Sequence, residues 1–372
     1  MLKTYRYRLY PTKAQITALI RTFELCRKVY NNTLALRRDS WDYDQKNLTY
    51  FDTVNELVRW KREFPDLRDV HSQVLQNVQV RVDLAFKAFF RRVKIGDNPG
   101  YPRFKGRNRY DSITYPQSGF SISGSVLHVS KIGDISIILH RPIDGTIKTM
   151  TIRRSSAGKW YVSFAVEYEP GIHDHPGTEI VGIDLGLSSF ATFSTGETIA
   201  NPRFFRSEEK ELARVQRKLS KAEKGTLERR NRRLIVAKVH ARIANKRSNF
   251  IHQISRDFVD RFKLIAFEDL QIINMQKNSH LAKSIADVAW GMMIQTTRNK
   301  AVDAGSQVIL INPRNTTQTC SRCNQIIRKE MSDRIHSCPF CGLVMDRDQN
   351  AAINILRLGT QSLRKSAGSS CL

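Results

Sequence analysis

Apolar positions recur along the first part of the chain at helical spacing. Ile16, Leu19, Phe23, Cys26, Tyr30 and Leu34 fall at three- and four-residue steps, and Pro11-Thr12 supplies a start, which predicts a helix over 12–38. On that face Cys26 reads as a buried core thiol. Val74, Val78, Val82, Phe86, Phe89 and Val93 repeat the pattern over 71–94, with Ser72 as a cap. The stretch 39–70 is mixed and aromatic, is broken at Pro65, and predicts shorter helices. The period then changes. Phe120–Ile122, Val126–Val129, Ile135–Leu139, Thr146–Ile152 and Trp160–Tyr168 are short alternating runs separated by turn residues, which predicts an antiparallel barrel or sandwich. Leu2–Leu9 also alternates, so the helical block 11–94 reads as an insertion in a β domain.

Beyond 178 the pattern is α/β. Glu179–Asp184 is an apolar run ending in an acid, and Phe190–Ser194 and Thr198–Ala200 follow as strands. Residues 203–248 and 250–262 read as helix, Leu264–Phe267 as a buried strand, 287–303 as helix, Val308–Ile311 as strand and Gln349–Leu358 as a short helix. The Ser- and Gly-rich end, 361–372, is expected to be disordered, leaving Cys371 exposed.

Charge changes the picture next. Among 372 residues, 61 Lys and Arg against 35 Asp and Glu leave +26, which disfavours a neutral metabolic enzyme and points to a polyanionic partner. Residues 203–248 hold 16 cations against five Glu, too few acids for the helix to neutralise itself, so a phosphate backbone is the expected relief. Arg214, Arg217, Lys218, Lys221, Arg229, Arg230, Arg232 and Arg233 are the candidates there. Arg103, Lys105, Arg107 and Arg109 form a second basic run, in which Tyr101, Phe104 and Tyr110 offer rings for nucleotide stacking. No apolar stretch of 18 residues occurs, and the first residues carry no secretory signal, so the expected setting is cytoplasmic, nucleoid-associated and without a membrane partner.

Two constellations carry chemistry. Cys320-x-x-Cys323 and Cys338-x-x-Cys341, fourteen residues apart, supply four thiolates from two tight turns, the donor set of one structural Zn²⁺ with no open position. Asp184, Glu268 and Asp348 stand where strands or helices begin or end. Three such carboxylates meeting in space could hold two Mg²⁺ roughly 4 Å apart for phosphodiester hydrolysis. Each also has a plainer reading: an Asx-turn for Asp184, a cap for Glu268 or Asp269, and a helix N-cap for Asp348 or Asp346.

Taken together, these motifs resemble the TnpB family of transposon-encoded RNA-guided endonucleases, relatives of the type V CRISPR effectors. The resemblance rests on Tyr5-Arg-Tyr-Arg-Leu-Tyr-Pro, Gly100-Tyr-Pro-Arg-Phe-Lys, Gly182-Ile-Asp-Leu-Gly, Phe267-Glu-Asp-Leu, Thr317-Gln-Thr-Cys-Ser-Arg-Cys, Cys338-Pro-Phe-Cys-Gly and Asp346-Arg-Asp-Gln-Asn-Ala-Ala. It covers nearly the whole chain and departs slightly at Asn324, where Gly is common. It implies a β-barrel wedge domain (1–10 and 95–178) carrying a helical recognition insertion (11–94). An RNase H-like, RuvC-type nuclease domain (179–316 and 346–360), interrupted by the zinc insert (317–345), would follow. In that family the three acids bind the catalytic metal, with Asp348 matching better than Asp346. A transposon-end (omega) RNA would guide cutting of double-stranded DNA beside a short transposon-adjacent motif, for which Ser72, Gln76, Gln79, Tyr115 and Gln117 are the candidate readers. The alternatives are RNA-guided DNA binding without cleavage, which the intact acids disfavour, and a transposase, whose acids usually run Asp, Asp, Glu. The number of copies on the RNA is left open.

Overall fold

The structure, a computed structural model, describes residues 1–171, 174–275, 277, 282–330 and 333–368. The chain divides into two compact units, Met1–Glu169 and Pro170–Leu372. No helix among the described residues is long and apolar enough to cross a membrane.

The first unit contains β1 (Leu2–Tyr10), α1 (Lys13–Asp44), α2 (Tyr50–Glu63), α3 (Ser72–Lys94), β2 (Ser112–Tyr115) and β3 (Phe120–Ser123). Then come β4 (Val126–Val129), β5 (Gly133–Ile138), β6 (Thr146–Arg154) and β7 (Trp160–Glu167). The strands form one antiparallel sheet in the order β2-β6-β7-β1-β5-β4-β3. Edge strands β2 and β3 meet through the Tyr115 and Phe120 rings, 6.5 Å apart, and Tyr115 Oη donates to the Ser130 carbonyl beyond β4. They share no ladder among the described residues, so the barrel is nearly closed. β1 is central although α1–α3 separate it in sequence from every strand it pairs with. Helices and sheet bury one continuous core, from Leu19, Cys26 and Val78 to Leu127, Ile152 and Phe164. Cys26 is fully buried, and that burial pushes its thiol pKa up to about 12.

Thr12 caps α1 with a full capping box closed by Gln15. Strand β2 lies outside the predicted runs; it is a four-residue edge strand in a Gly-, Pro- and Arg-rich stretch, with only Ile113 and Tyr115 facing the core.

The second unit opens with β8 (Ile180–Asp184), β9 (Ser189–Phe193), β10 (Thr198–Ala200), α4 (Phe204–Lys221), α5 (Leu227–Arg261) and β11 (Leu264–Glu268). It continues through α6 (Ile272–Met275), α7 (Ala282–Val288), α8 (Trp290–Ala304), β12 (Gln307–Ile311), β13 (Ile335–Ser337), β14 (Val344–Asp346) and α9 (Arg347–Gly368). The main sheet runs β10-β9-β8-β11-β12; the first two pairings are antiparallel and the last two parallel. Side chains alternate across it. Val181, Ile183, Ile265 and Phe267 pack with Phe258 of α5 and Met293 of α8, while Ala266 packs with Ile355 of α9.

Strand β8 and helix α9 approach closely because Gly182 has no side chain. A Cβ there would lie 2.1 Å from the Ala352 carbonyl oxygen and 2.5 Å from the Leu356 nitrogen, both rigid backbone atoms. Gly359 likewise seats α9 against Ala266. Gly182→Ala is therefore expected to cost about 3 kcal/mol or more, visible as a fall in the urea midpoint of unfolding. Helix α9 also runs to Gly368, well past Leu358, so 361–368 is helical and not the disordered tail its composition suggests; Cys371 lies outside the described residues. The basic region 203–248 is split into α4 and α5 at Ala222–Thr226, with Gly225 at φ +91° and Thr226 capping α5. The two helices bury Leu212, Val215, Val239 and Ile243 against each other.

Candidate active site and metal centre

Asp184 ends β8 and Glu268 ends β11. The strands are adjacent and parallel, with Phe267 paired to Ile183, so extending the register sets Glu268 beside Asp184, one strand spacing away. Alternation does the rest. Asp184 shares a sheet face with Gly182, and Glu268 with Ala266, which is the face α9 covers. Asp348 lies in the first turn of α9, one turn before the Ala352 that touches Gly182.

The N-cap alternatives separate here. Asp346 Oδ1 accepts from the backbone nitrogens of Asp348 (2.8 Å) and Gln349 (3.0 Å), so Asp346 caps α9. Asp348 is left with its carboxylate against guanidinium groups: Arg347 Nε at 3.2 Å and Arg334 Nη1 at 3.9 Å. Glu268 accepts from Thr316 Oγ1 at 2.5 Å. Burial first, and then the charges of Glu268 and Asp348, push the Asp184 carboxyl up to about 8. Glu268 is also raised by burial, partly offset by the Thr316 hydrogen bond. Arg347 and Arg334 face Asp348, yet the Asp184 carboxyl stays raised by burial and its acidic neighbours, and a hard divalent cation would supply the positive charge that would hold it ionised. The donor set thus fits Mg²⁺.

Among the described residues, one group of side chains has metal-ligand geometry. The four Sγ atoms of Cys320, Cys323, Cys338 and Cys341 lie within 4.8 Å of one another, with Cys320–Cys341 at 3.7 Å and Cys323–Cys338 at 3.5 Å. A tetrahedron with Zn–S bonds of ~2.3 Å has edges of about 3.8 Å, so the cluster fits Zn²⁺. Each knuckle closes on a left-handed residue. Asn324 (φ +63°) donates to the Cys320 carbonyl and Gly342 (φ +70°) to that of Cys338. Asn324 is therefore tolerated, since Asn adopts this conformation more readily than other residues with a side chain. Strands β13 and β14, three residues each, pair with one another beside the knuckles.

The nucleic-acid candidates divide. Arg217, Lys218, Lys221, Arg230 and Arg233 on α4 and α5 are all exposed, and among the described residues none of them makes an ion pair with an acidic side chain. Arg214 pairs with Glu211, and Arg232 with Glu228. Arg229 is a correction: its Nη1 donates to the Leu219 and Ala222 carbonyls, closing the end of α4. Arg103, Arg107 and Arg109 are exposed, and the Lys105 backbone is pinned by Arg27 and Asn31 of α1. Tyr101 and Phe104 are half-exposed, but Tyr110 is buried against Tyr30 and offers no ring for stacking.

Two motif-reader candidates are corrected by burial. Gln79 is fully buried and donates to the Thr53 carbonyl, and Tyr115 lies in the barrel core. Ser72 and Gln117 are exposed and Gln76 is half-buried. Gln73, which sequence reasoning did not select, accepts from Ser118 at 3.1 Å and draws the start of α3 to the turn that carries Gln117.

Comparison with known proteins follows the same lines. The OrfB_IS605 family model, described as a probable transposase, matches residues 163–279, and the Cas12f1-like TNB domain model matches 290–355. A protein of Streptomyces pristinaespiralis named a putative RNA-guided DNA endonuclease is 35% identical, over 96% of this chain and 89% of its own length. The chain belongs to the TnpB family. The TnpB relative InsQ of Escherichia coli K12, also named a putative RNA-guided DNA endonuclease, is 30% identical over 96% of this chain and 92% of its own. A CRISPR-associated endodeoxyribonuclease, Cas12f1 of Sulfoacidibacillus thermotolerans, is 27% identical over 53% of the chain and 50% of its own length. A helix-turn-helix domain model matches residues 1–46, but in this TnpB protein they form strand β1 and the single long helix α1.

Sequence reasoning missed Thr316, which bonds Glu268, and Asn350 and Asn354, which bond the backbone on either side of Cys320 and at Thr316. Their signal was available: Asn350 and Asn354 sit four residues apart on the apolar face of α9, among Ala351, Ala352 and Ile355.

Proposed function

We propose that this chain is an RNA-guided DNA endonuclease that cuts double-stranded DNA by divalent-metal-dependent hydrolysis, with Asp184, Glu268 and Asp348 as its metal ligands. The observation that carries this reading is the placement of two carboxylates on adjacent parallel strand ends beneath the first turn of α9. The sheet order, three antiparallel strands followed by two parallel ones, supports an RNase H-like, RuvC-type unit. Divalent cations held there would neutralise the scissile phosphate and acidify the attacking water. The chain's own part is positional: β8 and β11 hold two carboxylates at one strand spacing, α9 delivers the third, and Thr316 fixes the Glu268 oxygen. Cys320, Cys323, Cys338 and Cys341 would hold a structural Zn²⁺.

The names of the relatives support a guide RNA and target DNA as partners. We assign RNA from the transposon end to the unpaired cations of α4, α5 and the 98–110 loop, and a short flanking DNA motif to Ser72, Gln76 and Gln117. Purified protein with its co-expressed RNA, given matching target DNA and Mg²⁺, is the direct test. Cleavage that persists in Asp184→Ala, or that ignores the guide, would refute the reading. Replacing Arg217, Arg230 and Arg233 together by Gln should weaken RNA binding. It should also flatten the dependence on log salt by about 0.7 to 0.9 for every phosphate left without its cation. An unchanged slope would place the RNA elsewhere.

A further inference from the structure

The zinc insert and the carboxylate site are joined by three buried polar side chains that neither metal requires as a ligand. Asn350 is fully buried. Its Nδ2 donates to the Thr319 carbonyl (2.8 Å) and its Oδ1 accepts from the Ser321 nitrogen (2.9 Å). It therefore grips both neighbours of Cys320, two residues along α9 from Asp348. One turn further, Asn354 donates to the carbonyls of Thr316 (2.9 Å) and Thr319 (2.7 Å) and accepts from Arg357. Thr316, itself 2% exposed, turns its hydroxyl onto Glu268 Oε1 at 2.5 Å. The Pro313 carbonyl lies farther from the same oxygen, at 3.1 Å, and a hydroxyl has one proton, so the charged acceptor takes it.

These bonds form one path. The first knuckle fixes residues 319–321, these fix Asn350 and Asn354 on α9, and Asn354 fixes Thr316, which aims Glu268. In a buried network each group is held because leaving it unpaired is costly. We infer that Thr316, Asn350 and Asn354 are positioning residues through which the folded zinc knuckle sets the divalent-cation affinity of the carboxylate site. This rests on the metal-site reading given above. Thr316 fixes the rotamer of one ligand, and Asn350 fixes the first turn of the helix that carries another.

The test is Mn²⁺ binding to the full-length, zinc-loaded protein, followed by electron paramagnetic resonance or calorimetry, with zinc content measured alongside. Thr316→Val keeps shape but removes the hydroxyl. It should weaken Mn²⁺ binding roughly 10- to 100-fold while zinc stays at one per chain, and Thr316→Ser should restore it. A role in packing alone predicts the opposite ranking, with Val near the parent and Ser impaired. Asn350→Asp keeps the acceptor for Ser321 and loses the donor to Thr319; it should also weaken Mn²⁺ binding, and it carries the test if Thr316→Val loses its zinc. Mn²⁺ affinity within twofold of the parent in Thr316→Val, or in Asn350→Asp where that variant carries the test, overturns the inference. Asp184→Ala separates this from failure of the underlying reading. If it keeps Mn²⁺ binding and cleavage, the carboxylate site itself is wrong. If it loses both while Thr316→Val is normal, only the coupling is.

Discussion

Asp184→Asn is expected to abolish cleavage and, in the metal-free protein, to raise the melting temperature. The first effect follows from removing a ligand that holds charge opposite the scissile phosphate. Several kcal/mol of transition-state stabilisation would go, a loss of about 1,000-fold or more in rate. The second follows from the raised pKa. An unfolded aspartate ionises near pH 3.9, whereas in the metal-free fold Asp184 is pushed up to about 8 by burial and by Glu268 and Asp348. The folded state binds the proton more tightly, so ionisation destabilises it. The penalty starts as pH rises above about 4, grows by up to about 1.4 kcal/mol per pH unit, and is complete above about 8. Asn carries no charge and escapes it. Thermal scans without metal should show the variant gaining on the parent between pH 5 and 8, by about 2 to 4 °C per kcal/mol recovered. Mg²⁺ should close the gap by stabilising only the parent. A variant that is less stable at pH 8, or a gap that shrinks as pH rises, would show that Asp184 is not held among repelling charges.

Zinc removal gives the second large effect. The insert 317–345 has little of its own to hold it: two three-residue strands, with Val344, Ile335 and Phe340 exposed. A segment that cannot bury an apolar core depends on its metal, and structural zinc contributes on the order of 10 kcal/mol to such folds. Cys320→Ser, which alters the buried ligand gripped on both sides, should release the zinc and open the segment to protease, with mass spectrometry locating the cuts within 317–345. Full zinc retention, or cuts elsewhere only, would count against a zinc-built insert.

How much of the fold and site is legible in the sequence depends on how each signal arises. Alternation and helical spacing are set by burial on one face, so β7, α1 and α3 can be read from their apolar residues alone. The four cysteines can be read because ligand chemistry fixes both type and spacing. Asp346 and Asp348 cannot be ranked on local pattern, since from the sequence both stand at the start of a helix and either could cap it; the two hydrogen bonds that Asp346 accepts separate them. The polar atoms of Gln79, Tyr110, Tyr115 and Arg229 suggest a place at the surface, but each side chain finds protein partners or a packed ring instead. The length of α9 is hidden by Gly359, which normally weakens a helix and here allows close packing on Ala266.

The order in which the acids occur along the chain has a consequence for biosynthesis. Asp184 and Glu268 are translated well before Asp348, and α9 can dock on Gly182 only once it has left the ribosome. A nascent polypeptide would therefore expose its sheet edge with two acids and no third. A chain ended between positions 268 and 348 would carry Asp184 and Glu268 without Asp348, and on the reading proposed above it could not complete the metal site.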